Sequence, residues 1–228
     1  MEQNELSSKN KNQWDRLYGD TNNLVWGDTP VGFIKEFAGD MSVNLTEQSM
    51  LLDAACGEGR NIPAIKEMPG RLTVCDYSKH ALQKMPAHLK EKVLRIRCDL
   101  SELPFMEESF DLVIAVDIIE TLPEPEPAIH EIYRVLKEGA LFLCNIPGME
   151  DTISEKDMTP LGKDEYLYQD KYFFRFVTEE AATALLKKCG FEIIKSKDCE
   201  WWEKDHEGFR DGEHMHRSHV FLAKKIKK

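Results

Sequence analysis

The sequence holds no stretch of the ~18–20 uninterrupted apolar residues that a membrane span needs, so a membrane-crossing helix is not expected. It has no C-x-x-C pair either. Its six cysteines stand singly at positions 56, 75, 98, 144, 189 and 199. Four of them (Cys56, Cys75, Cys98 and Cys144) lie in or beside apolar runs, where cysteine behaves as a small buried hydrophobe. That usage fits a reducing cytoplasm rather than a disulfide framework, and it supports no catalytic thiol. Positive charge is scarce: 30 Lys and Arg face 41 Asp and Glu, for a net charge of −11. Phosphate contacts need clusters of Lys and Arg, so a nucleic-acid partner is not expected. The lysines at 224, 225, 227 and 228 read as a solvated tail rather than a membrane anchor. Met1–Leu6 is polar and acidic, unlike a secretory signal. Repeats and low-complexity segments are absent. With 42% hydrophobic and 31% charged residues in 228, the chain reads as one globular domain over residues 1–228.

What is present centres on residues 51–61. An apolar run, Leu51-Leu52, reaches Asp53, then a Gly57-Glu58-Gly59 turn, then a segment able to start a helix. Seventeen residues beyond Gly59 a second apolar run ends at Asp76. This is the layout of a strand–turn–helix–strand unit that wraps a nucleoside. Glycines let the backbone approach the ligand, and a carboxylate at the next strand end accepts hydrogen bonds from ribose hydroxyls. A dinucleotide fingerprint would need glycine at 62, where this chain has Ile62. The turn is acidic, with Asp53 and Glu58 offset only by Arg60, and so suits a pyrophosphate poorly. A cationic sulfonium with an amino-acid tail is better served, which favours S-adenosylmethionine (SAM) over NAD.

Asp53-Ala-Ala-Cys56-Gly57-Glu-Gly59-Arg-Asn61 resembles motif I of the class I SAM-dependent methyltransferases. Cys98-Asp99-Leu100, Phe110–Asp117 and Glu131–Gly139 leading into Ala140–Ile146 resemble that family's third strand end, fourth strand, and helix with fifth strand. The resemblance covers roughly residues 48–147, and more loosely 176–225. Trp14-Asp-Arg-Leu-Tyr18, with Trp26-Gly-Asp-Thr-Pro30, is similar to the N-terminal cover of small-molecule methyltransferases of the thiopurine and tellurite-resistance type. The implied fold is α/β: a Rossmann-like, seven-stranded, mostly parallel sheet with helices on both faces and an antiparallel C-terminal strand pair.

Four regions are expected within the domain: a helical cover at 1–47, a cofactor-binding core at 48–147, a substrate lid at 148–176, and a helix with a strand pair at 177–228. Strands are predicted at 50–54, 71–76, 93–98, 110–116, 139–146, 191–195 and 220–223, and a helix over 127–138 closed by Lys137 and Gly139. Thr178 is expected to cap another helix that ends at Gly190. Residues 147–176 break the pattern and read as a polar loop carrying aromatics.

The acids at successive strand ends carry the site expectation, because open α/β sheets bind ligands at that edge. Asp53 is expected to orient the turn or contact the donor's amino group. Asp76 takes the ribose. Asp99 accepts from the adenine amine, with Leu100 and Tyr77 packing the ring. Asp117 lies beside the methyl group and is the candidate catalytic residue. Cys56, Gly57 and Gly59 form the turn, while Trp14 and Trp26 either close over the donor or pack on the core. Glu58 reads as an exposed turn acid. Most other acids of 99–126, a stretch with no Lys or Arg, read as a solvated rim. Tyr172 and Arg175 are expected to line an acceptor pocket. His130 reads as a surface residue. His206, His214, His216 and His219 read as part of a polar loop running into the last strand, and no metal is expected. The expected function is methyl transfer from SAM to a small-molecule acceptor. Alternatives are a macromolecular target, a SAM-binding partner or sensor without turnover, and, on topology alone, an NAD-dependent oxidoreductase.

Overall fold

A computed structural model describes residues 3–151, 153 and 157–227. Seven strands form one sheet: β1 (Met50–Ala54), β2 (Arg71–Asp76), β3 (Leu94–Arg97), β4 (Phe110–Ala115), β5 (Leu136–Pro147), β9 (Phe191–Glu203) and β10 (His214–Lys225). Their order is β3-β2-β1-β4-β5-β10-β9, with β1 to β5 parallel and β10 antiparallel to both of its neighbours, β5 and β9. The seven-stranded, mostly parallel sheet with an antiparallel C-terminal pair is the predicted architecture.

Alternation along β1 shows why this sheet is covered on both sides. Leu51 and Leu52 point to opposite faces, and each is 1% exposed. Leu52 joins Val113, Phe142 and Ile129 in one apolar layer; Leu51 joins Ile114, Val74 and Phe37 in the other. Helix α6 (Pro125–Val135) supplies the first layer with Ile129, Ile132 and Val135, and α2 (Gly32–Ser42) the second with Ile34 and Phe37. The short helices α3 (Ile62–Ile65), α4 (Lys79–Lys84) and α5 (Ala87–Lys90) fill the crossovers on the β1–β3 side. Helix α7 (Glu179–Lys188) begins at Thr178, whose hydroxyl accepts the Ala181 N–H as predicted.

Three expectations change. The helix predicted over 127–138 ends at Val135, and the strand begins at Leu136 without a connecting loop. Leu136 is fully buried and already pairs with Phe110, so tertiary pairing overrides the helical period there. Gly139, at φ +76°, accompanies the irregular register between Phe110 and Leu112 rather than a helix stop.

The segment expected as a polar loop contains a three-stranded antiparallel sheet: β6 (Met158–Gly162), β7 (Glu165–Tyr168) and β8 (Tyr172–Arg175). Its second hairpin turns on left-handed Gln169 and Asp170, with the Lys171 N–H donating to the Tyr168 carbonyl.

The C-terminal strands run far beyond 191–195 and 220–223. Their added length places His214, His216 and His219 on β10 instead of in a loop.

The N-terminal helix α1 (Gln3–Asp20) contacts α4 and β8. Asn10, 3% exposed, fixes this docking: its side-chain amide donates to the Thr121 carbonyl at 2.7 Å and its oxygen accepts the Phe173 N–H at 2.9 Å. Together α1, the β6–β8 sheet and Phe209 form a third apolar cluster above the carboxyl edge of the main sheet. Among the described residues no helix is long and apolar enough to cross a membrane.

Candidate active site

A cavity opens at that carboxyl edge, between the turn after β1 and the cover made by α1 and Trp26. The turn is formed by residues that bend the backbone the left-handed way: Ala55 at φ 62°, Gly57 at 53° and Gly59 at 91°. A Cβ on Gly57 would lie 3.0 Å from the Tyr18 hydroxyl, so only glycine lets the cover approach this closely.

Asp76, at the end of β2, anchors the turn. Its Oδ2 accepts the Gly57 N–H at 2.8 Å and its Oδ1 the Ser78 N–H at 2.7 Å. Burial pushes its carboxyl up to about 6 despite these donors. Asp53 is 2% exposed and is driven up to about 7, first by burial and then by the Asp76 charge. Asp53 does not line the cavity and lies behind the turn, which fits the orienting role and not contact with a donor's amino group.

Asp99 lies just past β3 and accepts from Lys11 Nζ and from both the N–H and hydroxyl of Ser101. Burial alone would raise its pKa; the Lys11 and Ser101 hydrogen bonds outweigh it and leave the carboxyl below its usual value. Tyr77 and Leu100 lie on the same wall. Lys11 and Arg97 each sit 5.7 Å from the Tyr77 ring centroid.

Beyond the turn stands Asp117, at φ 53° after β4. Asn145 donates to its Oδ1 at 2.6 Å and accepts its N–H at 2.9 Å, while Arg60 Nη2 donates to its Oδ2 at 2.9 Å. Both oxygens of Asp117 are thus engaged. The neighbouring Glu120, on a 3₁₀ turn (Ile119–Thr121), is 4% exposed and lines the cavity. Its Oε2 meets no hydrogen-bond partner among the described residues. Burial, with the Asp117 charge added, pushes its pKa well above the usual carboxylate range. Sequence reasoning grouped Glu120 with the solvated rim, and only its place on the inner side of the turn distinguishes it.

Three further placements differ from expectation. Glu58 is not an exposed turn acid but 3% exposed; its Oε2 accepts the Val25 N–H at 2.7 Å, and Lys84 Nζ lies 3.3 Å from its Oε1. Arg175 does not line the cavity: its guanidinium is spent on Glu165 at 2.6 Å and on the Leu122 and Pro123 carbonyls, which locks β8 to the 3₁₀ turn. Tyr172 is also absent from the cavity wall. It packs behind Trp14, with ring centroids 4.7 Å apart.

Trp14, Trp26, Phe174 and Phe209 form the apolar wall instead. The Trp26 indole N–H donates to the Tyr18 hydroxyl at 2.8 Å, whereas Trp14 Nε1 is buried with no partner among the described residues. Cys56 and Gly57 border the cavity and Gly59 lies behind them. His130 is exposed on α6, as expected. His219 pairs with Asp198 at 2.5 Å, apart from the other C-terminal histidines.

At the far end, Arg60 Nη1 and Trp201 Nε1 both donate at 2.8 Å to Oε1 of Glu203. Around the other oxygen the structure gathers His206, His214 and His216, with their ligating atoms and that of Glu203 all within 4.8 Å of one another. The sequence reading set these histidines aside because, on a strand, 214 and 216 share a face while 219 points the other way, and because no cysteine lies nearby. The β9–β10 hairpin brings Glu203 and His206 to the face that 214 and 216 share, so the group forms without His219.

Residues 52–144 match the family described as Methyltransferase domain. A candidate methyltransferase of Encephalitozoon cuniculi is 30% identical over 162 residues, covering 65% of this chain and 73% of that protein. A ubiquinone/menaquinone biosynthesis C-methyltransferase of Nitrobacter hamburgensis is 29% identical over 167 residues, covering 63% of this chain and 66% of that protein. Among solved structures, the 1,6-didemethyltoxoflavin-N1-methyltransferase of Burkholderia thailandensis, with its substrate and S-adenosylhomocysteine bound, superposes with a TM-score of 0.70. It is 16% identical, and the match covers 100% of this chain and 92% of that one. The chain spans between about a third and two thirds of the length of several curated relatives that it matches.

Proposed function

We propose that this chain, which belongs to the SAM-dependent methyltransferase family, transfers the methyl group of SAM to a small-molecule acceptor. The observation that carries this reading is the continuity of the cavity. Its donor wall holds Asp76, Tyr77, Asp99 and Leu100, and the same space runs past Asp117 and Glu120 to an aromatic wall formed by the cover. A donor-sized site and an enclosed acceptor end in line are what an in-line displacement requires.

Asp76 accepts from the ribose hydroxyls, and Asp99 from the adenine amine once Lys11 yields. Cys56, Gly57 and Gly59 shape the turn against the amino-acid tail. Trp14 and Trp26 cover the donor. Asp117, fixed by Asn145 and Arg60, places negative charge beside the sulfonium. Transfer breaks the sulfur–methyl bond, forms a bond from the methyl carbon to the acceptor's nucleophilic atom, and leaves S-adenosylhomocysteine. Glu120, once ionised, is the group placed to take the acceptor's proton.

The matched chemistry in the named relatives, a quinone-pathway C-methyltransferase and a toxoflavin N-methyltransferase, also concerns small molecules. The test is incubation with methyl-labelled SAM and a fractionated metabolite extract, beside protein and nucleic-acid acceptors. Label in a small-molecule fraction supports the reading. Label only in macromolecules overturns it, as does saturable NAD binding without any response to S-adenosylhomocysteine.

A further inference from the structure

We propose that Glu203, His206, His214 and His216 form a binding site for one first-row divalent cation of the Zn²⁺ type, set in the acceptor end of the cavity. Each ring is already oriented by its other nitrogen. His206 Nδ1 lies 2.9 Å from the Val25 carbonyl, His214 Nδ1 lies 3.0 Å from the Gly212 carbonyl, and His216 Nδ1 lies 3.3 Å from the Asp151 carboxylate. Carbonyl and carboxylate oxygens only accept, so Nδ1 carries the proton in each neutral ring, and Nε2 of a neutral ring then offers a lone pair. The three Nε2 atoms converge. His214 and His216 Nε2 stand 3.1 Å apart, and Glu203 Oε2 lies 2.9 Å from His206 Nε2 and 3.8 Å from His216 Nε2.

Lone pairs at these separations repel unless something positive lies between them. His206 is 4% exposed, and its Nε2 faces only Glu203 Oε2, at 2.9 Å, among the ion pairs of the described residues. Ligand atoms about 2.0–2.2 Å from a tetrahedral Zn²⁺ stand about 3.3–3.6 Å apart, a value bracketed by the three separations above, with all four atoms within 4.8 Å of one another. The outer partners are complete as well. Trp201 and Arg60 occupy Glu203 Oε1, which turns Oε2 inward, and carbonyl or carboxylate partners back every ring, the arrangement that tunes metal-bound histidine. Imidazole with one carboxylate suits Zn²⁺ and its first-row neighbours rather than Ca²⁺ or Mg²⁺.

The entry path is the cavity itself, since Glu203 and His216 line it while His206 and His214 lie behind. An ion held there faces the acceptor and stabilises negative charge on an attacking oxygen, nitrogen or sulfur. That role rests on the methyl-transfer reading; the binding site does not.

The test is a titration of chelator-stripped full-length protein with Co²⁺, followed by visible absorption, and then with Zn²⁺. One equivalent of Co²⁺ should bind with the intense bands of a low-coordinate site, and Zn²⁺ should displace it. His214→Ala should abolish these bands. Asp151→Asn, which removes the anionic backing of His216 and one of the two oxygens that accept the Arg217 and Ile153 N–H groups, should weaken binding about 10–100-fold. S-adenosylhomocysteine affinity, measured calorimetrically on the same samples, separates the two proposals. Normal nucleoside binding without cobalt uptake overturns the metal site alone and leaves a hydrogen-bonded imidazole cluster. Cobalt uptake without nucleoside binding overturns the methyl-transfer reading alone.

Discussion

The Glu58 carboxylate accepts the backbone N–H of Val25 at 2.7 Å, so an acid in the glycine turn holds the N-terminal cover by its main chain. The cover is therefore attached to the donor site itself, not only to the body of the protein. Glu58→Ala leaves the buried Val25 N–H without its acceptor and the Lys84 ammonium with the Thr21 hydroxyl but no carboxylate, at a cost of about 1.5–3 kcal/mol. We predict faster amide exchange across residues 21–31 and weaker S-adenosylhomocysteine binding, with Glu58→Gln, which keeps an acceptor, falling between the variant and wild type. Unchanged exchange in Glu58→Ala would show that the cover's other contacts, among them His206 at the Val25 carbonyl and Glu207 at Asn22 and Asn23, position it without Glu58.

Cofactor binding should release protons near pH 6. In the free protein burial holds the Asp76 carboxyl at about 6, so roughly half of the molecules carry that proton at pH 6. Ribose hydroxyl donors and the nearby sulfonium favour the ionised form. Calorimetric enthalpies of SAM binding, measured in two buffers of different ionisation heat, should diverge at pH 6 and converge toward pH 8. Identical enthalpies at pH 6 would remove Asp76 from the nucleoside contact.

Asp53 sets a pH dependence of stability. Its carboxyl titrates at about 7 in the folded protein and at about 4 in an unfolded chain. The folded state thus binds the proton more tightly, and this group's favourable term is complete below about pH 4 and lost as pH rises through 7. Asp53→Asn keeps the shape without the charge. The variant should match wild type in chemical denaturation at pH 4 and exceed it at pH 8 by about 1–3 kcal/mol. Equal stability at both values would mean that another group absorbs the charge.

Glu120→Gln preserves size while removing the titrating oxygen. With the acceptor found in the labelled extract, kcat should fall by about 10²–10⁴-fold, with little change in KM for SAM. Wild-type kcat should rise with pH as this raised carboxyl ionises, and the variant should lose that limb. A proportional loss in KM for SAM with an unaltered pH profile would assign Glu120 to packing.

The glycine turn and strand-end acids of the proposed donor half were legible because local chemistry dictates their arrangement. Apolar runs of β1 and β2, the glycines between them and the acids at their ends can adopt few other arrangements. The acceptor half is made by contacts that no local pattern announces. Arg175 stood between two phenylalanines in a stretch read as a loop, and its engagement by Glu165 depends on a β7–β8 hairpin whose turn uses Gln169 and Asp170 in place of glycine. Glu120 and Glu58 have the composition of surface acids, and tertiary burial alone separates them from true ones. The His206, His214 and His216 group depends on β9 and β10 continuing well past their apolar segments. One face of that hairpin is solvated, so its polar residues resembled a loop.

That hairpin carries a consequence for how such a protein diversifies. Strand β10 pairs with β5 only from Ser218 to Lys224, whereas its pairing with β9 extends from His214 to Lys225. Residues 214–217 and their partners 200–203 therefore extend past the last β5 pair as a two-stranded ribbon that reaches the far end of the cavity, tied to the turn after β1 through Glu203 and Arg60. On the proposed function, substitutions or insertions in this ribbon other than at Glu203 should alter what the catalyst accepts while β1 to β4 keep every strand neighbour. Selection can thus act on the two ends of the cavity separately, and a change of acceptor needs no intermediate that has lost its grip on the donor.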